Sequence, residues 1–496
     1  MIKYLLKKSS CIELEIFETI SFNSNRVDVT MLMEEFSLSR SSVKRHVEHL
    51  NLTFLHLELA TNIKQDDKHR FYLSNSAPIE DKNLYHHIQL FLLEGSPSFK
   101  LLKLFFNSPP RSKYDYCYAL NVSENTFYKL VKDLNVYLKF FSVKIAKSKN
   151  NFLLVGDEHN IRFLICALFN EVYQNIKWPF QNNSIPTLKY YHSPCYSSQL
   201  EQKENSIKIR NKILLTTLNI RTQNESYVSV SDSTISQIMN VYINNDYKFN
   251  VNSFSYAGTS FEDAELLFSE IILRIFDDSI DSENRKIIIG QNLEELDNSL
   301  VLMCAALLKS FIEAFNILVD EDTYAKLMYY TVFHHIVISY FNFELRSILK
   351  INTVYKKPLL DDKDMIIQDI SHFYSEFMHK QKFHAFNTNN YEKSCSELLY
   401  FILQINFIKT INVYVQYTKN VIGTLMITNK ITVFFNSSSI KIVDDMADAD
   451  IIISDSIETS KKGSDYFFFG DIQDKLLWQD LFYFLQTKIF KQNFHD

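Results

Sequence analysis

Along the stretch LMEEFSLSRSSVKRHVEHL, residues 32–50, apolar positions fall at Leu32, Phe36, Leu38, Val43, Val47 and Leu50. Spacings of three and four put Val43, Val47 and Leu50 on one face of a helix. Phe36 ends a short preceding helix, Ser37 and Leu38 form a tight turn, and Ser39 caps the second helix by accepting a bond from its free backbone N–H groups. The opposite face carries Arg40, Ser41, Lys44 and Arg45, with His46 and His49 in the same stretch. Two helices joined so closely have the spacing of a helix-turn-helix, a motif whose second helix enters the DNA major groove.

The pattern returns 84 residues later. Leu120, Val122, Ser123, Phe127, Val131 and Leu134 match Phe36, Leu38, Ser39, Val43, Val47 and Leu50 in register. Glu124, Asn125, Tyr128, Lys129 and Lys132 then occupy the outward face. After each second helix, apolar runs flank a polar tip, in FLHLELATNIKQDDKHRFYL and in VYLKFFSVKIAKSKNNFLLVG. Both predict a two-stranded wing. Lys64, Lys68, His69 and Arg70 in the first, and Lys144, Lys147 and Lys149 in the second, are placed to reach phosphates. The alternative, ordinary helix packing with solvated basic residues, fits one copy better than it fits two copies in register.

From about residue 157 to 405 the period stays helical. DEHNIRFLICALFNEVY, SFEDAELLFSEIILRIFDD, NLEELDNSLVLMCAALLKSFIEAF, DTYAKLMYYTVFHHIVISYFNFELRSILK and KDMIIQDISHFYSEFMHK each read as a helical segment, with polar loops at 179–205 and 384–392. Two bundles of about a hundred residues each fit this length. Thereafter INVYVQY, KITVFFN, ADIIISDS and DYFFFG read as short strands and KLLWQDLFYFLQTKIF as a closing helix. The expected fold class is mainly α and multidomain, with winged helix-turn-helix domains at 1–76 and 77–156, helical bundles at 157–285 and 286–405, and a small α/β domain at 406–496.

Composition supports the helical reading, since 496 residues include 46% hydrophobic residues but only 7 Gly and 8 Pro. The formal charge of -6 is unevenly spread: through residue 155 there are 21 Lys and Arg against 16 Asp and Glu, or +5, which leaves -11 for the rest. A basic front on an acidic body suits a polyanion-binding end. Cysteines 11, 117, 166, 195, 304 and 395 form no CxxC pair and no zinc-site spacing, so buried thiols in a reducing cytoplasm are expected. No apolar run reaches membrane-spanning length, and no membrane partner, metal or cofactor is expected.

This order of domains resembles the Mga/AtxA family of transcription regulators from low-GC Gram-positive bacteria. Gly156, Glu158, Ile161 and Arg162 in FLLVGDEHNIRFLICALF are similar to the family's pattern where the second wing meets the body. The resemblance implies a virulence-type regulator of transcription, an activator, whose bundles are phosphotransferase-system regulation domains (PRDs) and whose tail has the enzyme IIB fold. It implies double-stranded promoter DNA as ligand, homodimerisation through the tail, and phosphocarrier proteins of the sugar phosphotransferase system as partners. His334 and His335, ahead of Arg346, are the candidate phosphorylation sites, because a neutral imidazole is nucleophilic near pH 7. Departures from the pattern are visible. Between residues 192 and 334 there is no histidine, His192 lies in a loop-like YYHSPC context, and the tail has Gln416, Tyr417, Thr418 and Lys419 where an enzyme IIB unit bears its phosphorylated cysteine.

Two rival functions differ in class. An RNA-binding antiterminator shares the regulation domains but begins with a small β domain, whereas this chain begins with helical pairs. A phosphotransferase-system component would need the missing cysteine, and no Gly-rich phosphate loop or nucleophile elbow points to any other enzyme.

Overall fold

The computed structural model describes residues 2–22, 26–75, 81–180, 205–229, 233–243, 262–341, 365–380, 389–406, 410–420, 422–456 and 464–493. These divide into two compact units. The first takes the described residues up to 305 with 328–341 and 389–394, and the second takes 306–327, 365–380 and 395–493.

In the first unit, helix α1 (Lys8–Phe22) is followed by strand β1 (Val27–Asp28), helix α2 (Val29–Phe36), helix α3 (Arg40–His56) and strands β2 (Thr61–Gln65) and β3 (Arg70–Asn75). The strands pair antiparallel in the order β1-β3-β2. Phe17, Leu32, Val43, Val47, Leu50, Phe54, Ile63 and Phe71 share one buried core. After α4 (Asp81–Gly95) and α5 (Pro97–Asn107), the same plan recurs as β4 (Arg111–Ser112), α6 (Lys113–Leu120), α7 (Glu124–Leu138), β5 (Lys144–Ser148) and β6 (Asn151–Val155), with sheet order β4-β6-β5. Here the core is aromatic: Phe105 against Tyr116, Tyr116 against Phe127 and Phe127 against Phe152, with ring centroids 4.6, 5.8 and 5.0 Å apart.

The 84-residue register extends to the backbone. Asp28 caps α2 by accepting from Thr30 N at 2.8 Å, and Ser112 caps α6 in a capping box with Asp115. Each short helix ends on a left-handed residue, Ser37 or Asn121, both with φ 52°. Ser39 and Ser123 then cap α3 and α7 through Ser42 N and Thr126 N at 3.2 and 3.3 Å. Glu58 and Ser142, again 84 apart, have φ of 53° and 56° and turn the chain toward each wing. The segments FLHLEL and VYLKFF are a correction to the strand reading. α3 runs on to His56 and α7 to Leu138, because Phe54 and Leu138 continue their helices' buried faces; the strands begin only at Thr61 and Lys144.

The rest of the first unit is helical. α8 (Glu158–Tyr173), α9 (Asn205–Gln223), α10 (Ser233–Ile243), α11 (Glu262–Phe276), α12 (Glu283–Glu294), α13 (Ser299–Ala314), α14 (Glu321–Phe341), α15 (Met365–Lys380) and α16 (Asn389–Asn406) follow in chain order, α13 to α16 contributing wholly or partly to the second unit. The expected helix through NLEELDNSLV is broken: α12 ends at Glu294, and α13 starts anew after Asn298, whose Oδ1 accepts from Leu300 N at 3.0 Å. α16 starts at Asn389, inside a stretch read as loop, whereas 181–204, most of the other expected loop, lie outside the described residues.

In the second unit, β7 (Ile411–Gln416), α17 (Gly423–Phe434), β8 (Ile440–Ile442), β9 (Ile451–Ser454), β10 (Asp465–Phe468) and α18 (Lys475–Asn493) form a parallel sheet of order β10-β9-β7-β8 with helices. KITVFFN is helix rather than strand. Ile427 and Ile431, four apart and fully buried, set a helical period that outweighs the β-branched composition. Val413, Ile453, Phe469, Trp478, Leu481 and Leu485 make the core. Among the described residues no helix is long and apolar enough to cross a membrane.

Gly156 follows β6 and leads into α8 with φ 156°, and a Cβ there would stand 2.9 Å from the Ser142 carbonyl oxygen. Gly156→Ala is expected to destabilise the wing–body junction by about 1–3 kcal/mol, read as a lower urea midpoint and faster amide exchange in β5 and β6.

Candidate nucleic-acid interface

The outward face of α3 presents Arg40, Ser41, Lys44 and Arg45, all exposed, while Val43, Val47 and Leu50 are buried. Ser39, expected at the contact face, spends its hydroxyl on the helix cap and on Ser41 and Ser42. His46 corrects the five-residue basic cluster. Its ring is buried, with Nδ1 3.3 Å from the buried Glu13 Oε1, and the exposed His49 ring brings its Nδ1 within 3.2 Å of the same oxygen. Three cations are left facing outward.

The second copy distributes its charge differently. On α7, Asn125, Tyr128, Lys129 and Lys132 are exposed, but Asp133 offsets one of the two lysines, and Glu124 is paired to Lys113 of α6 at 2.7 Å. The wings reverse the balance. In the first, Asp66 receives Arg26 at 2.8 Å and Arg70 at 2.9 and 3.1 Å. Hydrogen bonds from Arg26 and from the Arg70 backbone hold its carboxyl well below the usual carboxylate range. Arg70 is thus turned back on its own hairpin, and Lys64, Lys68 and His69 remain exposed. In the second wing Lys144, Lys147 and Lys149 are exposed with no carboxylate partner among the described residues. One module concentrates positive charge on its helix, the other on its wing.

Sequence reasoning missed the joint between helix and wing. Asn51 of α3 donates from Nδ2 to the Ile63 carbonyl at 3.0 Å and accepts from Ile63 N–H at 2.8 Å. Asn135 of α7 makes the same pair of bonds to Ile145, at 3.1 and 2.6 Å. Each amide side chain thereby acts as one more rung of the sheet. A signal exists, since Asn51 and Asn135 are themselves 84 apart, but it lies outside the apolar and capping positions that define the repeat.

Beyond the second wing, Glu158, Ile161 and Arg162 occupy the first turns of α8. Ile161 and Arg162 are buried, and Arg162 is fully so. Its guanidinium bonds Glu265 of α11 through both Nη atoms, Glu158 at 3.0 Å and the Ser226 carbonyl at 2.7 Å. Arg221 of α9 closes on Glu158 at 2.8 and 2.7 Å. This brace anchors the helix that directly follows the second wing.

His334 and His335 lie on α14. His335 is fully buried and its Nδ1 is 2.8 Å from the Thr331 carbonyl. His334 is partly exposed, with Nε2 3.1 Å from both the carbonyl and the hydroxyl of Ser394. Burial pushes the two imidazoles, His334 and His335, down to about 3 and about 4, so both are neutral at pH 7. An unfolded histidine binds its proton near pH 6.5. As pH falls below that value the unfolded state gains protons that the folded state refuses, so stability is lost from about 6.5 down to about 4 for His335 and about 3 for His334. His335→Gln is expected to flatten this part of the stability–pH curve, measured by urea unfolding at successive pH values. His192, Arg346 and Lys350 lie outside the described residues.

In the tail, the loop after β7 directs the backbone N–H groups of Thr418 and Lys419, each 3.0 Å away, and the Thr418 hydroxyl onto the Asp455 carboxylate. Donors that could cradle an anion are occupied from within the chain.

Residues 81–169 match the Mga helix-turn-helix domain family. The match starts at the first residue of α4, covers the second helix-turn-helix and wing, and ends within α8. A Streptococcus pneumoniae serotype 4 protein described as a "Putative trans-acting regulator" is 23% identical over 180 residues, which cover 36% of this chain and 34% of that protein. The match therefore spans about a third of the relative's length.

Proposed function

We propose that this chain, with a Mga helix-turn-helix domain at residues 81–169, is a DNA-binding transcription regulator of the Mga type. The observation that carries the reading is the pair of helix-turn-helix modules, alike in cap, turn and wing, each with a solvent-facing second helix. α3 reads base edges with Arg40, Lys44 and Arg45. The second module presents Asn125, Tyr128, Lys129 and Lys132 and grips phosphates with its lysine-bearing wing. The test is selection of bound fragments from sheared genomic DNA by the full-length protein, followed by fluorescence anisotropy against salt. Specific duplex binding with a steep salt slope supports the reading; preference for hairpin RNA overturns it in favour of an antiterminator.

The finer reading places the protein in the cytoplasm as an activator, a homodimer tuned by phosphocarriers acting on the PRD-like helices. Of the two candidate acceptors His334 is the more accessible, and His335 needs α14 to move before a partner can reach it. Incubation with phosphoenolpyruvate and the general phosphocarriers, followed by mass spectrometry that preserves phosphohistidine, tests this. Self-association through the enzyme IIB-like tail is supported by exposed apolar residues on its helices, among them Leu425 and Val433 of α17 and Tyr483 of α18. Replacing Leu425 and Val433 together by Asp is expected to halve the mass measured by light scattering; an unchanged mass assigns the patch another role.

A further inference from the structure

A cleft of about 390 Å³ opens between α5 and the second helix-turn-helix, within the size range of small-molecule sites. Lys100, Lys103, Asn107, Ser108 and Arg111 line it together with Glu94. Three cations thus meet one carboxylate, and that carboxylate is already engaged by Lys177 at 2.7 Å and Lys103 at 3.6 Å. Lys100 is exposed without a carboxylate partner among the described residues, and the Arg111 guanidinium donates to the neutral Ser108 hydroxyl at 3.0 Å. Asn107 Oδ1 is buried and accepts no hydrogen bond among the described residues. A buried acceptor left so is unfavourable, and a turn of the Asn107 side chain toward the cleft would let a ligand hydroxyl satisfy it.

We infer that this cleft binds a small hydroxylated oxyanion, with Arg111 and Lys100 holding the charged end and a ligand hydroxyl donating to Asn107 Oδ1. The anion class follows from the surplus of positive charge, and the hydroxyl from the lone acceptor. The cleft also borders the second reader: Arg111 lies in β4, paired with Phe152 of β6, and Ala119 and Leu120 at the end of α6 complete the wall. An occupant would bridge α5 to α6, a place from which to bias the DNA-binding module. That consequence rests on the regulator reading; the binding itself does not.

The test uses isothermal titration of the full-length protein, without DNA, with glucose 6-phosphate, gluconate and inorganic phosphate in separate arms. Saturable binding of glucose 6-phosphate or gluconate, at Kd of about 1 mM or tighter and roughly tenfold tighter than inorganic phosphate, is expected. Which of the two binds tells a phosphate from a carboxylate ligand. Arg111→Gln and the exposed Lys100→Gln should each weaken it several-fold, while Lys139→Gln outside the cleft should not. No saturable heat from either hydroxylated probe up to about 10 mM, equal affinity for inorganic phosphate, or unchanged affinity in both Lys100→Gln and Arg111→Gln overturns the assignment.

Discussion

Alanine at Arg40, Lys44 and Arg45 together lowers affinity for the selected duplex roughly hundredfold or more, with helix content unchanged. Side chains reaching base edges are worth about 1–3 kcal/mol each, and all three are exposed on the face of α3 opposite Val43, Val47 and Leu50, so truncation leaves the core untouched. The second module responds differently. Glutamine at Lys144, Lys147 and Lys149 should weaken binding to all sequences alike and make the slope of log affinity against log salt shallower by about 0.9 for each phosphate no longer neutralised. Anisotropy titrations at several salt concentrations separate the two outcomes. A folded triple alanine protein that binds with full affinity removes α3 from the interface.

Arg162→Met destabilises the first unit by about 3–5 kcal/mol, because it strands the carboxylate of Glu265, itself almost wholly buried. Glu265 then keeps the Val228 N–H at 3.0 Å, a neutral donor, while Glu158 keeps the cationic Arg221. Adding Glu265→Gln should restore much of the loss, since a neutral amide no longer needs a counter-charge. Urea denaturation of the single and double variants measures the coupling. Equal losses in both would mean that poorer packing, rather than the stranded charge, sets the cost.

The helix-turn-helix modules are legible in the sequence because their determinants are local. A cap, a turn and an apolar face at spacings of three and four sit within twenty residues, and the second copy checks the first. His46 misleads for the opposite reason: its partner, Glu13, lies on α1, and no periodicity links the two. Asn51 and Asn135 escape notice because an amide carries neither charge nor apolar surface, although its two-point bond to a strand is as specific as either. KITVFFN misleads because β-branched composition and helical spacing point in opposite directions, and packing of Ile427 and Ile431 decides between them. Arg162 stands out in the sequence only as part of a family pattern; its role depends on Glu265, which is 103 residues away.

The amide rungs at Asn51 and Asn135 bear on kinetics. With helix and hairpin bolted together before any encounter, the conformational entropy of ordering the wing, about 1–2 kcal/mol per residue of backbone, is surrendered during folding and not at the moment of capture. On the proposed DNA-binding reading, each module would land as a stiff, two-pronged body, with groove and phosphate contacts forming in the same collision. Release would then require both prongs to let go at once, so the rigid joint should lengthen the residence time on DNA far more than it quickens arrival.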